Sequence, residues 1–299
     1  MMHRRTFLRN TGLLTAAGLL PGLRSFSRTL LPFDYQVRLL REGVGIFTER
    51  GGTIGFLTTP DGQVVIDAQF PDTAAHLITE LKKNSAPIRF LLNTHHHGDH
   101  SGGNIAFKGI VEHVVAHANS LANQKMAAEK AKTLDKQLLP DITYTDDWKL
   151  KIGKEKIKAL YNGAGHTNGD TVYHFEKADV MHMGDLMFNK RHPFVDRTAG
   201  ANMTNWIEVL EKTYRKAEKD TIIIFGHSLN PGEETGTRED LLKFRNYLTQ
   251  VLDFARSEIA KGTPKEVFIK NTAIPGNTEW SGQGIERPLT AAYEELAAG

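Results

Sequence analysis

Cysteine is absent from this sequence of 299 residues. The chain can therefore form no disulfide, and it cannot be attached to a lipid through a cysteine. Its stability has to come from the burial of a core and from the groups that it binds. A chain of this length is long enough to bury a large core without a disulfide framework.

A large excess of charge of either sign is also absent. The 37 lysines and arginines nearly balance the 35 aspartates and glutamates, so the formal net charge is +2. This balance gives no broad basic field for nucleic acid, and we expect no nucleic-acid partner. No long charge block, linker or low-complexity tract interrupts the sequence. We therefore expect a single globular domain.

The amino terminus has the pattern of an export signal. Arg4-Arg5-Thr6-Phe7-Leu8-Arg9 is followed by the apolar stretch Gly12 to Leu20, which resembles a twin-arginine signal. The apolar stretch is shorter than the roughly 20 residues that span a bilayer, so we expect no stable membrane anchor. We predict that residues 1–28 are the signal peptide, that residues 29–299 are the folded domain, and that the mature protein is periplasmic or secreted.

Residues 94–103 read THHHGDHSGG and contain an HxHxDH cluster. Imidazoles at positions i and i+2 of an extended segment point the same way, so His95 and His97 can close on one metal ion. Asp99 and His100 are neighbours in sequence, so their side chains diverge and suit a second ion. The alternative, a solvated loop, is disfavoured by further ligand candidates downstream. The segment predicts a site for two metal ions.

Three later segments each place a ligand candidate beside glycine: Gly165-His166-Thr167, Gly184-Asp185-Leu186 and Gly226-His227-Ser228. The last two follow apolar runs, residues 180–183 and 221–225, that predict buried strands. Glycine after a strand lets the backbone turn sharply and approach closely, which places the next side chain at the carboxyl end of the strand. Candidates from separate strand ends would then converge.

The order of these motifs, HxHxDH, Gly-His-Thr, Gly-Asp and Gly-His, resembles the metallo-β-lactamase superfamily of metallohydrolases. The resemblance spans residues 95–227. It implies that His95, His97 and His166 bind one metal. It also implies that Asp99, His100 and His227 bind the other, with Asp185 bridging both. Two zinc ions are the implied cofactors, with iron as a possible replacement, and each ion keeps room for water or substrate.

The chemistry that this resemblance implies is hydrolysis. Zinc lowers the pKa of bound water from 15.7 to about 7, so a metal-bound hydroxide is present at neutral pH. Such a hydroxide would attack an acyl carbon, and Asp99 would orient the nucleophile and relay its proton. We therefore expect a small-molecule acyl substrate, which is a lactone, thioester, ester or lactam.

Departures from branches of the family narrow this expectation. Many true metallo-β-lactamases have a cysteine where this chain has Asp185, and a lysine shortly after it, whereas the third residue after Asp185 is Phe188. We therefore expect weak β-lactam hydrolysis at best. The bridging aspartate is more similar to the glyoxalase II and lactonase branches, although the tyrosine of the lactonases and a glutathione motif are both missing.

Other functions remain open at this point. The same fold with one iron resembles the persulfide dioxygenases, so an iron-dependent oxidoreductase is the main alternative. A protein that only binds metal or ligand is a third one. The large second domain of the nuclease members has no room between Asp185 and His227. The sequence does not indicate an oligomeric state.

The element pattern predicts an α/β (α+β) fold that forms an αββα sandwich, with two mixed sheets and helices outside. Predicted strands cover residues 44–48, 53–58, 63–67 and 88–93, with short strands within 142–161 and a pair at 171–175 and 180–183. Predicted helices cover residues 73–83, 204–218 and 239–261. Asp72 is expected to cap the first helix, and a capping box from Thr237 to Asp240 the last one.

Supporting residues are predicted from their positions beside the ligand candidates. Thr94, Thr167, Asp170 and Ser228 could hold the outer nitrogens of the imidazoles, with Asp170 the strongest candidate. The segment from Asn189 to Phe194 could lie over the metals as an anion grip or an apolar wall. We expect the isolated histidines to be ordinary polar residues: His3, His76, His113, His117, His174 and His192.

Overall fold

Apolar strands joined by short turns begin the part of the chain that this computed structural model describes, which is residues 35–298. They build a sheet of seven strands in the order of the sequence. Its elements are β1 (Gln36–Arg41), β2 (Val44–Thr48), β3 (Ile54–Thr59), β4 (Gly62–Ile66), α1 (Pro71–Leu81), β5 (Ile88–Leu92), α2 (Gly98–Ser101), β6 (His113–His117), α3 (Ala118–Ala131) and β7 (Ile142–Tyr144). Strands β1 to β4 are antiparallel, and β4 to β7 are parallel.

A second sheet of six strands follows, in the order β15-β13-β11-β10-β9-β8. Its strands and helices are β8 (Trp148–Ile152), β9 (Glu155–Leu160), β10 (Val172–Phe175), β11 (Val180–His182), β12 (Phe188–Asn189), α4 (Met203–Lys216), β13 (Ile222–Ile224), β14 (His227–Ser228), β15 (Thr235–Gly236), α5 (Arg238–Ala260), α6 (Lys265–Phe268) and α7 (Glu286–Ala297). Strands β12 and β14 form a separate parallel pair. Strands β11 and β13 are parallel neighbours, so their carboxyl ends lie at the same edge.

The side chains of β4 show how the layers are packed. Successive residues of a strand point to opposite faces. Val64 and Ile66 belong to a core between the two sheets, whereas Val65 belongs to a core shared with α1. All three are fully buried, because both faces of this sheet are covered. A third core joins the outer face of the second sheet to α4, α5 and α7. The predicted αββα sandwich is confirmed.

Individual elements agree with the prediction to different extents. The strand at residues 44–48 has the predicted bounds, and β10 and β11 pair as predicted. The capping box is confirmed, because the backbone nitrogen of Thr237 donates to Asp240 at 2.8 Å. The prediction for Asp72 is wrong, because Phe70 is the N-cap of α1. Pro71 has no N–H to satisfy and favours the first helical position, which moves Asp72 into the first turn.

Two other predictions concern the amino terminus. The predicted signal peptide, residues 1–28, lies outside the described residues. Within residues 35–298, no helix is long and apolar enough to cross a membrane.

Trp206 fixes the turn that carries Asp185 against the helical layer. The indole is fully buried on α4, and its Nε1 donates to the carbonyl oxygen of Leu186 at 3.1 Å. Leu186 ends the short 3₁₀ turn Gly184–Leu186. The ring also packs against His166, with 5.7 Å between ring centroids. The position of two ligand candidates therefore depends on one side chain of the core.

We predict that Trp206→Phe destabilises the fold by about 1 to 3 kcal/mol, because it leaves the buried carbonyl of Leu186 without a donor. Urea unfolding of the metal-free protein measures the effect. Trp148→Phe is the matched control, because Trp148 is only half-buried on β8. Equal unfolding midpoints for the two variants would contradict this role of the indole.

Candidate metal centre

The HxHxDH segment is attached to the carboxyl end of the buried strand β5. Thr94 anchors its start, because both the backbone nitrogen and the hydroxyl of Thr94 donate to the carboxylate of Asp67, at 2.8 and 2.7 Å. Asp67 directly follows β4, the parallel neighbour of β5. Two adjacent strand ends therefore hold the loop. This edge of the sandwich is where the predicted site residues meet.

One group of ligand candidates contains His95, His97, His166 and Asp185, whose ligand atoms all lie close enough to hold one metal ion. Nδ1 of His97 is 3.1 Å from Nε2 of His95 and 2.8 Å from Nε2 of His166. Oδ2 of Asp185 is 3.4 Å from Nε2 of His166.

The second group contains Asp99, His100 and His227, and it could also hold an ion. Nε2 of His227 is 3.2 Å from Oδ2 of Asp99 and 3.3 Å from Nε2 of His100. The other oxygen of Asp185, Oδ1, is 2.9 Å from Nε2 of His100 and 3.4 Å from Nε2 of His227. Asp185 thus faces one group with each oxygen. The structure brings all seven predicted residues together.

In the first group, one ring nitrogen of His166 and of His97 donates a hydrogen bond away from the group. The other ring nitrogen points into the group and keeps its lone pair. Nδ1 of His166 donates to the carbonyl oxygen of Phe194 at 2.8 Å, and Nε2 of His97 donates to Asp196 at 2.9 Å. A neutral imidazole has one donor and one acceptor nitrogen. The inner nitrogens of His166 and His97 are therefore both acceptors, although only 2.8 Å separates them.

The same pattern holds for His95 and for His100 in the second group. The hydroxyl of Thr94 gives its hydrogen to Asp67, so it accepts from Nδ1 of His95, 3.0 Å away. Nδ1 of His100 donates to Asp67 at 2.8 Å, which directs Nε2 toward Oδ1 of Asp185. This Oδ1 is buried and accepts no hydrogen bond of suitable geometry from residues 35–298. Facing acceptors of this kind fit a cation, and nitrogen and oxygen donors suit zinc.

The pKa values of the histidines and of Asp185 are those of a site that attracts positive charge. Burial lowers the pKa of His95 well below its usual value and that of His166 to about 3, so both rings are neutral near neutral pH. Burial opposes ionisation of Asp185, but the attraction of His227 and His100 is stronger and holds its pKa well below the usual range. Burial disfavours the charged form of His100 too, yet Asp185 and Asp67 raise its pKa well above the usual value. A proton on His100 supplies part of the charge that a bound cation would supply.

Two glycines make room for the ligand candidates. A Cβ atom at Gly226 would overlap Oδ1 of Asp185, and a Cβ atom at Gly52 would overlap the ring of His100. The sequence predicted such a close approach after the strand that precedes Gly226. Gly52 lies in the β2–β3 turn, which is distant in sequence, and its role in the site was not predicted.

The carboxylates that support the imidazoles differ from the predicted ones. Asp67 and Asp196 hold His100 and His97, and neither was predicted. A signal for Asp67 was present, because it is the last residue of the strand predicted over residues 63–67. Asp170 does not reach an imidazole. It accepts hydrogen bonds from the backbone nitrogen and hydroxyl of Thr167, so it shapes the loop instead, and burial raises its pKa to about 7.

Of the other residues that were predicted to support the imidazoles, one does so and another does not. Thr94 contacts His95 as predicted, whereas Ser228 accepts a hydrogen bond from Asn189. His96, which was not singled out, is buried with Nε2 3.5 Å from Asp196. His96, His97 and Asp196 form a third possible ion group, but Nε2 of His97 already donates to Asp196 there.

A cavity of about 330 Å³ opens over Asp185 and His227. Its walls include the aromatic rings of Phe188 and Phe194, and its rim includes two guanidinium groups, those of Arg191 and Arg287. The segment from Asn189 to Phe194 therefore contributes to the cavity.

Residues 47–248, which are more than half of the chain, match the family model of the metallo-beta-lactamase superfamily. Together with the αββα fold and the seven converging residues, this match shows that the chain belongs to the metallo-beta-lactamase superfamily.

Proteins of two kinds are among the relatives that this chain resembles. A type 2 metallo-beta-lactamase of Bacillus sp. (strain 170) is 25% identical over 63% of this chain and 74% of its own length. A hydroxyacylglutathione hydrolase of Methylococcus capsulatus (strain ATCC 33009 / NCIMB 11132 / Bath) is 27% identical over 44% of this chain and 47% of its own length. The solved structure of a metallo-beta-lactamase from Pontibacter korlensis has a TM-score of 0.58 and 22% identity over 72% of this chain and 99% of its own. It supports the fold alone.

We predict that Asp67→Asn weakens the binding of zinc by roughly 10- to 100-fold, as is usual when a carboxylate behind a ligand histidine is removed. The amide has one acceptor oxygen for three donors, so His100 or Thr94 loses its partner. Competition with a fluorescent chelator measures the affinity. Asp253→Asn is the control, because its side chain is 62% exposed on α5. Unchanged affinity in the Asp67 variant would show that Asp67 does not orient His100.

Proposed function

We propose that this chain is a dinuclear zinc-dependent hydrolase that cleaves an acyl bond in a small molecule. The observation that carries the proposal is the position of Asp185, whose two oxygens face two separate groups of histidines. In this proposal His95, His97 and His166 hold one ion, and Asp99, His100 and His227 hold the other. Asp185 is shared between them.

Zinc ions lower the pKa of bound water and polarise carbonyl groups, which is the chemistry that such a pair supplies when bound. The chain contributes the orientation of the reactants. Asp99 lines the cavity and is 33% exposed, in contrast to Asp185, which is 4% exposed. Burial raises the pKa of Asp99, but the hydrogen bond from His227 and the charge of His100 outweigh it and lower the pKa to about 2. Asp99 is therefore an ionised carboxylate, placed to orient a water molecule and accept its proton.

The cavity indicates the kind of substrate. Phe188 is buried in its wall, and Phe194 is 43% exposed at its edge, so an apolar group can be covered on two sides. Arg191 has no carboxylate within ion-pair distance in the described part of the chain, and Arg287 has only an exposed one, 3.8 Å away in Glu286. Two weakly paired guanidinium groups beside aromatic rings favour a substrate with an apolar part and a negative charge.

The comparisons support acyl chemistry without selecting a substrate. One class of relatives is named for β-lactams and the other for hydroxyacylglutathione. The absence of cysteine and the position of Phe188 favour weak β-lactam turnover at most. The alternative, an iron-dependent oxidoreductase similar to persulfide dioxygenases, needs a single ion. It leaves the second group, Asp99, His100 and His227, without a function.

Metal analysis of the purified protein tests the proposal, followed by a panel of lactones, thioesters, esters and β-lactams. We expect two zinc ions per chain and hydrolysis of at least one acyl class. One iron per chain with oxygen uptake on a persulfide would refute the hydrolase. No hydrolysis by zinc-loaded protein across the panel would refute the acyl substrate.

Asp185→Ala should lower metal occupancy and turnover together, because both groups lose a shared ligand. We expect a loss of kcat/KM of roughly a hundredfold or more. Asp253→Ala is the control, with a carboxylate removed from an exposed face. A fully loaded and fully active Asp185 variant would rule out the shared carboxylate.

We also propose that residues 1–28 direct export of the folded chain to the periplasm or beyond by the twin-arginine route. Replacing Arg4 and Arg5 by lysine should leave the precursor in the cytoplasm, as cell fractionation and immunoblotting would show. Arg9→Lys is the control within the same segment. Normal export of the double variant would contradict the twin-arginine assignment.

A further inference from the structure

One buried histidine of the cavity belongs to none of the three ion groups. His192 follows β12, is 5% exposed and lines the cavity together with Asp185 and His227. Its Nδ1 is 2.7 Å from the hydroxyl of Tyr247. Its Nε2 has no hydrogen-bond partner within residues 35–298, and this nitrogen is not completely shielded from solvent. Because Nδ1 is paired with Tyr247, Nε2 is the ring nitrogen that is left to contact a molecule in the cavity.

The hydroxyl of Tyr247 determines which nitrogen of His192 has the proton. Tyr247 is 1% exposed, and Nδ1 of His192 is the hydrogen-bond partner that residues 35–298 offer to its hydroxyl. If His192 donated from Nδ1, the phenol hydrogen would be buried without an acceptor, which is unfavourable. The phenol therefore donates to Nδ1. The proton of the neutral imidazole is then on Nε2.

Burial keeps both partners in these forms. It lowers the pKa of His192, with a smaller opposing effect from Glu286, and it raises the pKa of Tyr247. His192 is therefore neutral and Tyr247 is protonated near neutral pH. The ring of Tyr247 packs against Phe244 and Trp280, with centroid distances of 5.9 and 5.0 Å, and these two rings are 5.8 Å from each other, so the three form a triangular cluster. Tyr247 is thus a rigid support, because it is buried on α5 and packs in this aromatic cluster.

We propose that His192 contacts the substrate and that its Nε2–H group, directed by Tyr247, donates a hydrogen bond to an acceptor oxygen of the bound molecule. This inference rests on the proposed function, in which that oxygen belongs to the carbonyl of the substrate or the carboxylate of the product. The cavity is near the lower end of ligand pockets, which range over roughly 300 to 1,000 Å³. Asp185 and His192 line the same cavity, so a molecule bound beside Asp185 has His192 in the wall that encloses it.

The position of the proton can be tested without turnover. Zinc-loaded protein with ¹⁵N-labelled histidine gives long-range ¹H–¹⁵N correlations that distinguish the two neutral tautomers. The signals of His192 are those that are lost in His192→Gln. We expect the proton on Nε2 in the wild type, and a loss of this preference in Tyr247→Phe. A proton on Nδ1 in the wild type would overturn the proposal.

Two variants separate a substrate contact from a structural role. The amide nitrogen of glutamine can reach the position of Nε2, whereas the amide of asparagine can reach only that of Nδ1. The readouts are the binding of acetate to zinc-loaded protein by calorimetry and kcat/KM for p-nitrophenyl acetate. We expect His192→Asn to weaken both by roughly tenfold, and His192→Gln to keep both within about threefold, because only glutamine restores the donor. The zinc content should not change.

If His192 has only a structural role, His192→Gln should lose more acetate binding and kcat/KM than His192→Asn. Asparagine keeps a hydrogen-bond partner for Tyr247, and glutamine does not. That order, equal losses or no loss in either variant would each overturn the proposal. Failure of the proposed function is distinguishable from failure of this inference. If the wild type cleaves no ester, the tautomer and acetate binding still decide the role of His192.

Discussion

Acceptor atoms that face one another in a buried site repel, and the arrangement around Asp185 depends on a positive charge that holds them together. The hydrogen bonds on the outer side of each imidazole ring determine why this positive charge is needed. Hydrogen bonds to Asp196, to the carbonyl of Phe194 and to Thr94 fix where the protons are, so the inner nitrogens keep their lone pairs. The outer hydrogen bonds thereby leave these histidines in the form that could hold a metal ion.

Both sheets contribute residues to this site. Most of these residues follow the carboxyl ends of parallel strands. The first sheet supplies the HxHxDH loop after β5 and its support, Asp67, after β4. The second sheet supplies Asp185 after β11 and His227 after β13. The backbone nitrogen of Thr53 donates to the carbonyl of Gly226 at 2.8 Å, which ties the two edges together beside the site. Six of the seven residues therefore follow the ends of parallel strands, and the seventh, His166, comes from the loop between β9 and β10.

The ligand candidates could be predicted from the sequence because their signals are local. HxHxDH is a spacing within six residues, and Gly184 and Gly226 mark positions where a strand ends. The supports were less predictable, because Asp67 and Asp196 are far in sequence from the histidines they hold. Asp170 is close in sequence to His166, but it shapes its own loop and does not hold an imidazole. Helix α3 was missed for another reason, since its buried face includes Ser120, Asn123 and Gln124 and has no apolar stripe.

The absence of cysteine gives the site a second consequence, which concerns stability. The chain has no covalent cross-link, and its interior contains a cluster of carboxylates and imidazoles, with His95 and His166 neutral, that is costly to bury without a cation. A cation that binds only the folded form removes this cost and raises the free energy of unfolding. Export by the twin-arginine route, as proposed, would move a chain that has already folded. Binding of metal before export would then stabilise the folded form at the step where the route requires it.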